Sequence, residues 1–238
     1  MDLQTKDIGK FGSEAIVNYS TFVMMNSITQ LKNHEAKFEQ AWADPRNTCC
    51  ELPPIDVNQV LAEHYNTSEP FTFTRAMLWD METKKAWAPD RYLPTVVRQG
   101  TASAWGKSAA TNCNETFIRS SQQRLWLEPQ EYGVVLEQVC VNKSKQVVTF
   151  IGAEEAHDRA SNLLRAGTGQ PLFYVEHSVI GDESRPLNKW RIVHLTNNSD
   201  QRMIDRFTLM ANTVWLPEFI EIYIRDDLGI ELTLRDTD

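Results

Sequence analysis

The sequence predicts an α+β fold: helices first, then five or six antiparallel strands, then a long C-terminal helix that the curved sheet wraps, with a cavity between sheet and helix. Three observations point there. Apolar residues recur at three- and four-residue steps near both ends of the chain. The middle carries β-rich runs separated by Gly, Pro and Asn. The stretch 171–197 reads as two strands joined by a polar turn holding Gly181 and Pro186.

Taken in order, the apolar stripe Ile16, Ile28, Leu31, Phe38 and Trp42 predicts a long amphipathic helix from Ser13, its N-cap, to Trp42. Asp44-Pro45 ends it, and Pro53-Pro54 punctuates the linker that follows. A short helix is expected from Val57 to Tyr65, capped by Asp56, and another from Thr74 to Trp87. On the latter, Phe73, Ala76, Met77, Asp80, Lys84 and Trp87 form one strip. Strands are expected at 94–98, 115–127, 132–141 and 145–151, whereas 153–166 reads as a short helix or a loop. A second long helix begins at Ser199 or Asp200, and Leu216-Pro217 must kink or restart it. The chain is thus divided into a helical N-terminal extension, residues 1–69, and an α+β domain with an internal cavity, residues 70–238.

Composition narrows the function. The formal charge of −8, with no basic cluster, argues against nucleic acid, whose phosphates demand Lys and Arg. No apolar run approaches a membrane span, and the polar N-terminus does not resemble a secretory signal. A cytoplasmic protein with reduced thiols is expected. None of the four cysteines forms a Cys-x-x-Cys pair, so a structural zinc site is not expected. Neither a Ser/His/Asp arrangement nor a phosphate-cradling glycine loop is present.

The candidate chemistry lies on strand faces. Side chains alternate along a strand, so His177 shares a face with Phe173, Val175 and Val179, and His194 with Trp190 and Ile192. Either both imidazoles are satisfied core groups or they stand on the wall of a ligand cavity. Glu137 shares a face with Val135, Val139 and Val141. If that face is core, the carboxylate needs a partner, because burying it bare is prohibitive. If it faces solvent, nothing is anomalous. Asp80, between Met77 and Trp87, is either paired with Lys84 or faces a cavity.

Trp79-Asp80-Met81-Glu82, followed by Trp87-Ala88-Pro89 and Tyr92, resembles a signature of the diacetylphloroglucinol hydrolase (phloretin hydrolase-like) family, where Trp-His-x-x-Glu precedes Trp-x-Pro and an aromatic residue. Ala211 to Tyr223 is similar to that family's C-terminal helix, and the hairpin places a family histidine on His177. The resemblance implies a helix-grip (Bet v 1-like) fold and carbon–carbon cleavage beside an aryl ketone, with zinc held by two histidines and two glutamates. Asp80 stands where the first ligand histidine would be, and no His or Glu lies between Ser199 and Pro217, so that zinc set cannot be assembled.

The expectation is therefore an enzyme without metal or other cofactor, acting by acid/base chemistry on a small apolar aromatic or polyketide-like metabolite. Carbon–carbon hydrolysis or lysis, or cyclisation, are the reaction types. His177, Glu137 and Asp80 are the candidate catalytic residues, and Trp79, Trp87, Phe173, Trp190 and His194 the candidate binding residues. A non-catalytic carrier with the same cavity is the alternative, and the N-terminal helix could build a homodimer.

Overall fold

In a computed structural model the described residues are 34–109, 114–211 and 214–235. The architecture is α+β, with a seven-stranded, wholly antiparallel sheet. In chain order the elements are helix α1 (34–43), β1 (Thr48–Asp56), α2 (Val57–His64), β2 (Tyr65–Thr67), α3 (Arg75–Trp87) and α4 (Pro89–Tyr92). Then come β3 (Ser103–Ala109), β4 (Asn114–Arg124), β5 (Tyr132–Asn142), β6 (Val147–Ala153), β7 (Glu155–His157), β8 (Leu163–Arg165), β9 (Phe173–Gly181) and β10 (Pro186–His194). Helices α5 (Gln201–Ala211) and α6 (Glu218–Ile222) and strand β11 (Leu232–Leu234) complete the order. The main sheet runs β1-β10-β9-β6-β5-β4-β3. No helix among the described residues is long and apolar enough to cross a membrane.

Most of the helix expected from Ser13 lies outside the described residues, as does any dimer contact it would make; its end is α1. Phe38 of α1 packs with Ile151 and Val193, which puts α1 on the outer face of the sheet. Residues 48–56, within the stretch read as a helical extension, form an edge strand pairing with β10. An edge strand tolerates Pro53 and Pro54 because its free side needs no donors, and the register shifts between Leu52 and Ile55 to pass them.

Helix α3 starts as expected, with the Thr74 hydroxyl accepting from Met77 N at 3.2 Å. Its buried face, however, is Leu78, Met81, Glu82, Lys85 and Ala86 rather than the strip through Asp80 and Lys84. Leu78 and Met81 join the core with Phe73, Phe219 and Ile220, and this rotates Asp80 outward.

The stretch 94–98 forms only an isolated bridge, Val97 with Gln123. Residues 155–165, expected as a short helix or a loop, are a small hairpin: the Asp158 carboxylate accepts from the backbone of Ala160 and Asn162, both at 2.8 Å, and closes a turn that competes with a helical ladder. The long C-terminal helix is replaced by two shorter pieces, α5 and α6. Pro217 has no N–H to continue the ladder and instead occupies the N-cap of α6. A single π-turn, Tyr223–Asp227, follows.

The turn that joins β9 to β10 depends on Gly181, at φ +82°, where an added Cβ would lie 2.2 Å from Arg185 O. Gly181→Ala is expected to cost roughly 1–3 kcal/mol of stability. An unchanged urea midpoint would show that the turn can rearrange.

Candidate active site

The site begins with a charge pair that α3 carries indoors. Glu82 is 0% exposed and Lys85 1%, one helical turn apart on the buried face. Such groups persist only when every bonding position is used. Glu82 Oε1 accepts from Lys85 Nζ at 2.7 Å and Asn188 Nδ2 at 2.8 Å. Its Oε2 lies 3.0 Å from His177 Nδ1. Burial alone would raise the Glu82 carboxyl, but Lys85 and His177 outweigh it and hold the group down at about 2. Glu82 is therefore an anion that can only accept, which places the shared proton on His177 Nδ1. Lys85 is lowered by burial to about 8, with Glu82 working against that shift, and remains the cation of the pair at neutral pH. The ring centroids of Phe219 and Trp190, 3.7 and 4.4 Å from Nζ, supply further cation–π contact.

The hairpin delivers His177. Trp190 pairs with it across β9 and β10, and the two rings stack at 3.9 Å and 15°. Burial depresses the imidazole to about 4, Lys85 adds to the effect, and Glu82 restores part of it. At neutral pH His177 is uncharged, with its proton on Nδ1 and a lone pair on Nε2. The hydrogen bond His177 makes among the described residues is at Nδ1, which leaves Nε2 to the cavity it lines.

Behind the ring, Phe150 separates His177 from a second ion pair. Arg119 Nε donates to Glu137 Oε2 at 2.7 Å, and Nη2 lies at the same distance from that oxygen. Arg119 Nη1 donates to Ala86 O at 2.9 Å, tying the end of α3 to the sheet. The Glu137 face is thus an inner, buried one, and Arg119 is the partner its burial requires.

These groups share a cavity of about 310 Å³ between the inner face of the sheet and the helical cover. Arg119, Glu137, Phe173, His177, Asn188 and Trp190 line it from the sheet, and Leu93, Val97, Pro217 and Phe219 from the cover. Of the residues predicted from sequence, His177, Glu137, Phe173 and Trp190 stand on this wall. The others do not. Asp80 makes an ion pair with Lys84 at 2.7 Å and accepts from Tyr223 OH at 2.7 Å on the far side of α3. Trp79 and Trp87 line a separate, shallow groove with Asp80. Trp87 stacks on Phe117 at 3.9 Å and donates to Glu115 at 2.9 Å.

His194 is fully buried between Phe173 and Phe207, with no partner for either ring nitrogen among the described residues. Burial lowers it to about 4, Asp200 offsetting part of the shift. Both imidazoles titrate near 6.5 when unfolded and near 4 when folded, so the unfolded chain binds more protons across that window. Stability is whole above about pH 6.5 and drains as pH falls toward 4, by about 3 kcal/mol per imidazole. His194→Leu is expected to remove about half of that loss in urea titrations, since it deletes one of the two groups. Identical pH slopes in the two proteins would contradict this.

Sequence reasoning missed Glu82, Lys85, Arg119 and Asn188. The signal for the first two was their alignment with Leu78, Met81 and Ala86 at helical spacing. Among the described residues, no group of three or more His, Cys, Asp or Glu is placed to hold a metal ion. His177 is committed to Glu82, Glu137 to Arg119 and Asp80 to Lys84, so the donor set does not fit the zinc that the family resemblance implies.

The chain matches no protein-family profile and no curated protein. Solved structures similar in shape include the Zhui aromatase/cyclase from Streptomyces sp. R1128, at 7% identity and TM-score 0.46, covering 75% of this chain and 95% of that one. Norcoclaurine synthase from Thalictrum flavum matches at 10% identity and TM-score 0.38, covering 76% and 94%. Major latex-like protein 151 from Panax ginseng matches at 9% and 0.38, covering 68% and 92%. At these identities the likeness concerns the course of the chain and assigns no chemistry.

Proposed function

We propose that this chain is an enzyme that moves a proton on a small, neutral aromatic or polyketide-like metabolite held in the cavity, with His177 as general base. The observation that carries the reading is a buried, ionised Glu82 that fixes the His177 tautomer and leaves Nε2 as an acceptor on an apolar wall. A carrier with the same cavity needs no such pair. The finer fold reading, a helix-grip in which the sheet curls round the C-terminal segment, is supported by a cavity walled by the sheet on one side and Pro217 to Phe219 on the other.

In the proposed step, Nε2 takes a proton from a carbon next to a carbonyl, and the released electron pair moves onto the carbonyl oxygen. Arg119 lines the same cavity, and the N–H groups it does not spend on Glu137 and Ala86 O can stabilise the resulting enolate. A conjugate acid near 4 makes the imidazole a weak base, so the proton must already be acidic, as it is between an aromatic ring and a carbonyl. Returning the proton to a different carbon completes an isomerisation; attack of the enolate carbon on a second carbonyl of the same molecule, with the proton passing from Nε2 to the new alkoxide, completes a cyclisation. The step draws on no metal or cofactor.

The probe is 2-tetralone, whose C1–H lies between a ring and a carbonyl. Deuterium exchange at C1, followed by NMR in D2O, should run faster with the protein than in buffer and return to the buffer rate in His177→Ala. No acceleration by the native protein, or an unaltered rate in the variant, would defeat the catalytic reading. Binding without exchange would favour a carrier.

A further inference from the structure

We propose that the cavity recognises a neutral phenolic or enolic hydroxyl on its ligand, with Glu137 Oε1 as the acceptor; the inference rests on the cavity being the ligand site proposed above. Arg119 spends both its Nε and its Nη2 on the other oxygen of Glu137, Oε2, each at 2.7 Å. Oε1 has no protein partner among the described residues, although Glu137 is 2% exposed and lines the cavity. A carboxylate oxygen that faces a largely apolar cavity without a protein donor calls for one from the ligand.

Asn188 gives a second, independent sign. It is 1% exposed, and it too lines the cavity. Its Nδ2 is bonded to Glu82, which as an anion cannot donate, so the amide orientation is settled and Oδ1 is the atom left over. Oδ1 is buried and without a partner. His177 Nε2, carrying a lone pair, is a third acceptor on this wall. Whatever sits against these atoms must donate hydrogen bonds.

The charges decide what kind of donor. Glu82 is balanced by Lys85 and Glu137 by Arg119, while His177 is neutral, so the wall around these acceptors carries no net charge to compensate an ammonium; the other carboxylate on the lining, Glu218, lies on the cover and accepts from Thr95 N and Oγ1. Moving a cation into such a place forfeits its hydration without return. A hydroxyl donates without that cost. An enol also presents a hydroxyl, so the same acceptor would hold the tautomer formed by proton transfer.

The test compares 2-naphthol with its methyl ether, 2-methoxynaphthalene, by calorimetric titration. The native protein should bind the naphthol at least about tenfold more tightly, since the ether leaves the buried acceptor unpaired. Glu137→Gln keeps an oxygen for Arg119 but turns an amide N–H2 toward the ligand, and the preference should fall below about threefold. Equal affinities in the native protein, binding of neither compound, or an undiminished preference in the variant would each overturn the proposal. The native pair of titrations does not depend on any variant folding. A protein that exchanges 2-tetralone through His177 but ignores the hydroxyl would sink this inference alone, whereas hydroxyl selectivity without exchange would sink only the catalytic reading.

Discussion

Glu82→Leu should lower the free energy of unfolding by about 3–5 kcal/mol, the cost of leaving a buried charge without its partner. In the native protein one carboxylate satisfies Lys85, His177 and Asn188 together. Without it, Lys85 is a cation at 1% exposure whose remaining contacts are two aromatic faces. It must either remain charged in a low-dielectric interior or lose its proton, and Nδ1 and the Asn188 amide lose their acceptor as well. Removing both charges tests the cause. Glu82→Leu with Lys85→Met should recover most of the loss, because replacing a whole buried ion pair with apolar groups of similar volume is often close to neutral. Urea unfolding at constant m-value measures both variants. A single variant within about 1 kcal/mol of native, or a double variant no better than the single, would show that the pair is not what organises this interior.

The second large effect is on chemistry. His177→Ala should slow 2-tetralone exchange by about 10²–10⁴-fold, the usual worth of one positioned acid/base group. The pH profile separates catalysis from mere structural damage. Burial holds the imidazole at about 4, so the base form persists well below the range in which an exposed histidine protonates. Exchange at pH 5 should remain within about twofold of the neutral rate, then fall as pH approaches 4. A midpoint near 6.5 would mean that a solvated histidine, and not this buried one, carries the reaction.

Much of this interior was readable along the chain, because each legible part follows from a local rule. Alternation placed His177 with Phe173 and Val175, and Glu137 with Val135 and Val139, on what proved to be inner faces. The extent of α3, expected over 74–87 and found at Arg75–Trp87, was equally plain. The phase of α3 was not. Apolar residues surround that helix, with Trp79 and Trp87 on one side and Leu78 and Met81 on another, so periodicity alone did not choose the buried stripe. Glu82 and Lys85 were therefore passed over, and the choice of Asp80 as a candidate catalytic residue followed from the same misjudged phase. Pairings such as Glu82 with His177, 95 residues apart, depend on how helix meets sheet, and no local pattern encodes that. Pro217 announced a break in the last helix, yet not that the chain would resume as one short turn ending in a π-bulge.

Nitrogen-15 NMR of the imidazole rings addresses the tautomer of His177, from which the base, its low proton affinity and the role of Glu82 all follow. In the folded protein at neutral pH, the His177 signals should report a neutral ring protonated at Nδ1, unchanged on acidification until close to pH 4. A ring protonated at Nε2, or an imidazolium at pH 7, would contradict the account at its root.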